Sequence, residues 1–418
     1  MNMTKTIAAL TSAVLLTGTL ASCGSRNSKH ERVQQTEISF SWWGNDSRNR
    51  YTIEAIEKFE ELHPEIKVDV SYSEWSGYET RNKVWLASDT ECDVMQINYG
   101  WLTNYSEDGS GYYDINELAD TVKLDNFEED LLEYGRKNGK LNALPIAMNA
   151  QTVYINKTIY DSYGLGVPAT WDDLFAAAKV MSADGVYPIS AASKSLWMYL
   201  ITYAEQTAGK KILAEDGSLN FSAEDLRTMI EFYKRLVDEK VLPQAEYYER
   251  IKLDSEEYAG SVAWVSDANN YFGAEIEKGR EIVTAPYTTI TGSGAGEGWY
   301  AKPATMYAVS KNTEHPEEAA LLLDFLLNST EMAEIQGLEK GIPLSKSAQN
   351  AIQDQMTGLQ FEASEEMNGA ELTQLSPVLE DGGLIDDFFA AANEVLYDKA
   401  DSGEAALNLY TQISADYF

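Results

Sequence analysis

Residues 38–46 read ISFSWWGND, residues 66–78 read IKVDVSYSEWSGY and residues 94–101 read VMQINYGW. In the first two, Ile38, Phe40 and Trp42, then Ile66, Val68, Val70 and Tyr72, alternate with polar residues, which is the two-residue period of a strand. Between them Ile53, Ile56, Phe59 and Leu62 recur at helical spacing, and Pro64 stops the helix. A second helical stretch around Tyr78–Ala87 leads to the apolar segment Val94–Ile97. The pattern is β-α-β-α-β, which requires parallel strands and right-handed crossovers and sets an α/β class. Open parallel sheets bind ligands beyond the carboxyl ends of their strands. Those ends carry Trp42-Trp43-Gly44-Asn45-Asp46, Ser73-Glu74-Trp75-Ser76-Gly77-Tyr78 and Asn98-Tyr99-Gly100-Trp101, so all three should face one crevice. Trp42 and Trp43 cannot both point into it, because neighbours on a strand face opposite ways.

Outward from this core, the middle of the chain is more helical. Thr170 can cap a helix with Trp171, Leu174, Ala178 and Met181 on one face, which makes Trp171 a core residue. Ser222-Ala223-Glu224-Asp225 is a capping-box pattern ahead of Leu226, Met229, Ile230, Tyr233 and Val237, and Pro316 opens a helix with Glu317 and Glu318 in its first turn. A strand-like run, Ser261–Val265, ends in Ser266-Asp267-Ala268-Asn269-Asn270-Tyr271, repeating the strand-end chemistry. Residues 291–298, TGSGAGEG, lack the Gly-Lys-Ser/Thr of a phosphate loop and read as a surface loop.

Composition narrows the function. In 418 residues, 32 Lys+Arg face 67 Asp+Glu, a formal charge of −35 that excludes a nucleic-acid partner, since phosphate binding needs a basic footprint. Two cysteines and three histidines, without ligand spacing, exclude a disulfide framework and imply no metal or other cofactor. Cys92 reads as a buried structural thiol. Residues 1–22 carry Lys5, the apolar run Ile7–Leu16 and then small residues, the order of a secretory signal. Leu20-Ala21-Ser22-Cys23 resembles the bacterial lipobox, which makes Cys23 the lipidated first residue of the mature chain. Residues 23–36 are then a polar tether.

Further segments carry a family resemblance. Leu144-Pro145-Ile146-Ala147 leads to Val153-Tyr154-Ile155-Asn156-Lys157; Pro168-Ala169-Thr170-Trp171-Asp172-Asp173-Leu174 follows; Trp299–Ser310 precedes His315-Pro316-Glu317-Glu318-Ala319. In this order they resemble the extracellular solute-binding proteins of family 1, the carbohydrate receptors of ABC importers. The resemblance implies a two-lobed periplasmic-binding-protein-like fold (type II) with hinge crossings: residues 37–148 with 300–345 as lobe one, 149–299 with 346–418 as lobe two. It implies a non-enzymatic, monomeric receptor at the extracellular face of the cell membrane, held there only by its lipid. Its partners would be an oligosaccharide and importer permease subunits with a separate ATPase.

Sugars present apolar C–H faces and hydroxyls, so a binder needs aromatic platforms and planar polar groups. The expected platforms are Trp43, Trp75, Trp101, Trp197, Trp264 and Trp299 with Tyr78, Tyr99 and Tyr271; the expected polar contacts are Asn45, Asp46, Glu74, Asn98, Asn149, Asp267, Asn269 and Asn270. So much stacking surface suits an oligosaccharide, and the carboxylates among these loops argue against an anionic solute. The rival reading is a secreted glycoside hydrolase using two of Asp46, Glu74 and Asp267.

Overall fold

The computed structural model describes residues 35–243, 257–291 and 298–418. The expected leader, Cys23 and nearly all of the tether lie outside them, as do residues 292–297 of the glycine-rich stretch and the side chain of Asn270.

The opening pattern folds as its period dictates: β1 (Thr36–Trp43), α1 (Asp46–Leu62), β2 (Ile66–Ser73), α2 (Trp75–Ser88) and β3 (Val94–Ile97), with β1 parallel to both β2 and β3. A short helix α3 (Gly100–Tyr105) follows, then the long strand β4 (Leu144–Asn156). The later elements are α4 (Trp171–Met181), β5 (Ser190–Ala191), α5 (Ser193–Ala208), α6 (Ala223–Asp238), β6 (Gly260–Trp264), α7 (Ala268–Glu277), β7 (Ile282–Ala285) and β8 (Tyr300–Val309). The chain closes with α8 (Pro316–Asn328), α9 (Thr330–Gln336), α10 (Lys346–Ala351), α11 (Leu359–Asn368), β9 (Thr373–Gln374), α12 (Gly382–Leu396) and α13 (Ser402–Asp416). Both capping boxes form, at Thr170 with Asp173 and at Ser222 with Asp225, and Pro316 starts its helix. Leu62, expected on the buried face of α1, is exposed in the last turn; Tyr51, Ala55, Ile56 and Phe59 carry that face instead. Cys92 is buried and free, and burial pushes its thiol up.

One sheet runs β2-β1-β3-β8-β4-β6-β5, with β7 against β4 and β9 against β8. All thirteen residues of β4 are buried. Its first half pairs antiparallel with β8, from Leu144↔Tyr307 to Ala150↔Ala301, and its second half with β6 and β7. Two cores sit at its ends. Leu144 and Ile146 belong with Phe40, Phe59, Tyr307 and Leu323; Met148, Ala150, Val153 and Tyr154 belong with Trp171, Tyr199, Leu236 and Phe388. The chain therefore changes core within β4 and again within β8, where register shifts between Pro303 and Met306 mark a bulge. A third segment passes at Leu344, whose N–H donates to Ile146 O and whose side chain touches both cores. After it α10 packs on α9 and α8, and the second core resumes at Leu359. This is a two-lobed α/β fold with its crossings side by side.

Gly341 shows how tight the crossing is. Its φ is 99°, and a Cβ there would lie 2.9 Å from Ala147 Cβ, in β4. Gly341→Ala is expected to cost about 1–3 kcal/mol, read as a lower denaturation midpoint with an unchanged slope; wild-type stability would show that the crossing yields.

Candidate functional site

The ends of β1, β2 and β3 bring four of the expected aromatics together. Trp75 lies 4.9 Å from Trp43 and 6.0 Å from Trp101, and Tyr78 stacks parallel to Trp101 at 6.1 Å. Burial sorts them. Tyr78 is fully buried and its hydroxyl donates to Gln96 O at 2.7 Å, Trp101 is 3% exposed, and Trp75 caps the stack at 38% exposed. Trp42 points the other way, into the core, with its indole donating to Asn49 Oδ1 at 3.0 Å. Trp43 is half-buried behind Trp75. The stack thus presents Trp75 and the edge of Trp101 as an apolar wall.

These two line a cavity of about 490 Å³ together with Glu79, Asn98, Gly100, Thr103 and Asn104. Its other wall is Lys194, Lys302, Pro377, Val378, Glu380 and Asp381. Lys194 stands in the first turn of α5, Lys302 on β8 opposite Asn149, and Glu380 just before α12. Lys302 Nζ lies 2.5 Å and Lys194 Nζ 3.2 Å from the same oxygen, Glu380 Oε1. Burial would raise the Glu380 carboxyl, but the two ammoniums hold it below the usual glutamate range. Burial pulls Lys302 below the usual lysine value, opposed by Glu380. Lys302 also sits 4.9 Å above the ring of half-buried Trp264.

A second cavity, of about 640 Å³, shares Thr103, Pro377 and Val378 with the first, so the two form one cleft. Tyr99 lines it, its hydroxyl held by Gln374, with Lys137, Lys211 and Tyr300. A third, of about 330 Å³, holds Asn45, Arg48, Ser266 and Asn269. There Asn45 caps α1 by accepting from Arg48 N, and Asn269 donates to Gln360. Asp267 is half-buried and its carboxylate accepts no hydrogen bond among the described residues; burial raises its carboxyl, partly offset by Arg48.

The expected site residues therefore divide. Trp75, Asn98 and Trp101 share one cavity, Tyr99 lines its continuation, and Asn45 and Asn269 lie in the third. Tyr78, Trp197 and Trp299 are corrected to core residues: Trp197 is 1% exposed with its indole donating to Leu379 O, and Trp299 packs on Tyr287. Asn149 is spent on Ser266, accepting from its N–H and donating to its Oγ. Asp46, Glu74 and Tyr271 are exposed and line none of these three cavities, and of the carboxylates weighed for hydrolysis none lines the Trp75 cavity. Sequence reading missed Lys194, Lys302 and Glu380, which are 78 to 186 residues apart and look like ordinary surface charges. Among the described residues no group of His, Cys, Asp and Glu could hold a metal.

The model of the bacterial extracellular solute-binding proteins matches residues 45–333. A periplasmic solute-binding protein of Pectobacterium atrosepticum superposes with a TM-score of 0.84 at 30% identity, covering 92% of this chain and 99% of that one. A periplasmic oligogalacturonide-binding protein of Yersinia enterocolitica, in complex with saturated digalacturonic acid, superposes with a TM-score of 0.81 at 30% identity, covering 91% and 98%. The melibiose/raffinose/stachyose-binding protein of Bacillus subtilis is 26% identical over 163 residues, 39% of this chain and 37% of that one.

The ionic triad predicts a non-additive response. Glu380→Ala leaves Lys302 without a counter-charge in a nearly dry place and is expected to cost about 3–5 kcal/mol, whereas Glu380→Met with Lys302→Met is expected to cost far less. Additive losses in a double-mutant cycle by chemical denaturation would contradict the coupling. The contribution of Glu380, being a lowered carboxyl, is fully present above pH 4.5 and is lost as pH falls through its folded value.

Proposed function

The chain belongs to the bacterial extracellular solute-binding proteins, which serve ABC transporters, and from that premise we propose that it captures an oligosaccharide between its lobes and hands it on uncleaved. The observation that carries this reading is the cleft itself: an exposed indole, Trp75, on one wall and a hydrogen-bonding ionic cluster on the other. An indole suits the C–H face of a sugar ring, and ammonium and carboxylate groups suit its hydroxyls. Two linked cavities of about 490 and 640 Å³ favour more than one sugar unit. The sugars named for the relatives above, oligogalacturonide and the melibiose, raffinose and stachyose series, support the same class.

In this reading residues 37–148 with 300–345 form one jaw and residues 149–299 with 346–418 the other, α10 travelling with the first. The crossings in β4, in β8 and at Leu344 absorb the rotation. Trp75, Trp101, Asn98 and Tyr99 contact the ligand, and the raised carboxyl of Asp267, with no partner of its own, accepts from a hydroxyl as the jaws close. The lipid on Cys23 tethers a monomer to the outer face of the membrane, and permease subunits with a separate ATPase complete the importer. Among the described residues no helix is long and apolar enough to cross a membrane.

Calorimetry against a panel of oligosaccharides, with product analysis after prolonged incubation, tests this. The expected result is saturable binding with the sugar recovered intact; turnover would overthrow it. Trp75→Ala is expected to lose roughly 1–3 kcal/mol of affinity, and unchanged affinity would remove Trp75 from the site.

A further inference from the structure

Glu380 uses only one of its two carboxylate oxygens within the protein. Resting on the oligosaccharide reading above, we infer that the ligand is a neutral oligosaccharide and that Glu380 selects it: its free oxygen accepts from a sugar hydroxyl, Lys194 donates to the neighbouring hydroxyl, and a sugar carboxylate is turned away.

Lys302 Nζ and Lys194 Nζ both lie against Oε1 of Glu380, at 2.5 and 3.2 Å. Oε2 accepts no hydrogen bond among the described residues. The Glu380 side chain is 12% exposed and so held in place, while Lys194 is 42% exposed and open to the cleft. The two ammoniums keep the carboxyl ionised, and an ionised carboxylate can only accept. It therefore suits a hydroxyl, which can donate, and opposes a second carboxylate, which cannot. Lys194 carries three N–H bonds and directs one at Oε1. A fixed acceptor beside a free donor matches two adjacent hydroxyls on a sugar ring, each of which both donates and accepts. Trp75 lines the same cavity and offers the apolar surface for the ring's C–H face.

Charge elsewhere in the cleft argues the same way. In the first cavity Lys194 and Lys302 face Glu380, Asp381 and Glu79, the last with Lys83 at 3.0 Å. In the second, Lys137 and Lys211 face Glu215 and Asp216, and Lys211 is also paired with Glu205. In the third, Arg48 faces Glu334 and Glu339, and its guanidinium also acts on the Asp267 carboxyl. In none of the three do the lining bases outnumber the lining acids. A carboxylate brought in on a sugar would lose water without gaining a counter-charge, beside carboxylates already present. A hydroxyl has no charge to desolvate and can donate to any of these acids. Repelling the wrong solute contributes to specificity as much as attracting the right one. The formal charge of −35 adds repulsion of the same sign at long range.

The test is calorimetry on the full chain with maltotriose, cellotriose and galactotriose. Each is set against the same trisaccharide after oxidation of its primary alcohols to carboxylates, so that linkage and length are held constant. In any pair that binds, the neutral form is expected to be tighter by roughly ten-fold or more. Salt should leave the neutral form unchanged and strengthen whatever binding the acidic form shows. Glu380→Gln keeps the shape and removes the charge, and is expected to weaken the neutral form and narrow the preference, with circular dichroism confirming the fold. If that variant does not fold, Glu380→Gln combined with Lys302→Met, which leaves no unmatched ammonium at that position, is read in its place. An oxidised form that binds as tightly as its neutral partner, or more tightly, overturns the inference and leaves the sugar receptor standing. An unchanged preference in the folded variant overturns the role of Glu380. Failure of every sugar to bind, acidic or neutral, in these pairs and in the panel above, would take down the reading beneath it.

Discussion

A strand of thirteen buried residues, Leu144–Asn156, has to satisfy its backbone in two different cores, and the rest of the molecule is arranged around that requirement. Its N–H and C=O groups pair with Tyr300–Val309 at one end and with Gly260–Trp264 and Ile282–Ala285 at the other. Unpaired backbone at that depth would be costly, so both cores are tied to this one strand. The bulge in β8 between Pro303 and Met306 sits where the cores meet.

The same junction builds the cleft. Lys302 is next to the bulge on β8, across from Asn149 on β4, and from there its ammonium reaches Glu380 and the ring of Trp264. Asn149 in turn fixes Ser266, and with it the turn that carries Asp267. The crossing in β8 and the ionic cluster of the cavity wall thus share Lys302. On the facing wall the packing is apolar, with Tyr78 and Trp101 buried so that Trp75 alone offers a broad exposed ring. One wall supplies stacking and the other supplies charge.

The elements were legible because their causes are local. Two-residue alternation made β1 and β2, helical spacing made α1, and side-chain oxygens at Thr170 and Ser222 capped their helices. The lining of the cavities was legible only in part. Trp75, Asn98 and Trp101 could be placed beside one another because parallel strands send their carboxyl-end loops to one edge. Trp197 and Trp299 could not be told from ligand platforms, since an indole that packs and one that stacks on sugar have the same sequence signature, and only their neighbours, Phe388 and Tyr287, separate the two.

By itself the sequence determined the α/β class, the aromatic strand ends and the overall negative charge, all of which follow from composition and short-range pattern. Only the tertiary structure decided which aromatics are core and what charge the cleft carries. Lys194, Lys302 and Glu380 come from a helix start, a return strand and a helix-entry turn, far apart along the chain. Electrostatic attraction acts through space at a few ångströms, and no spacing in the sequence encodes that proximity.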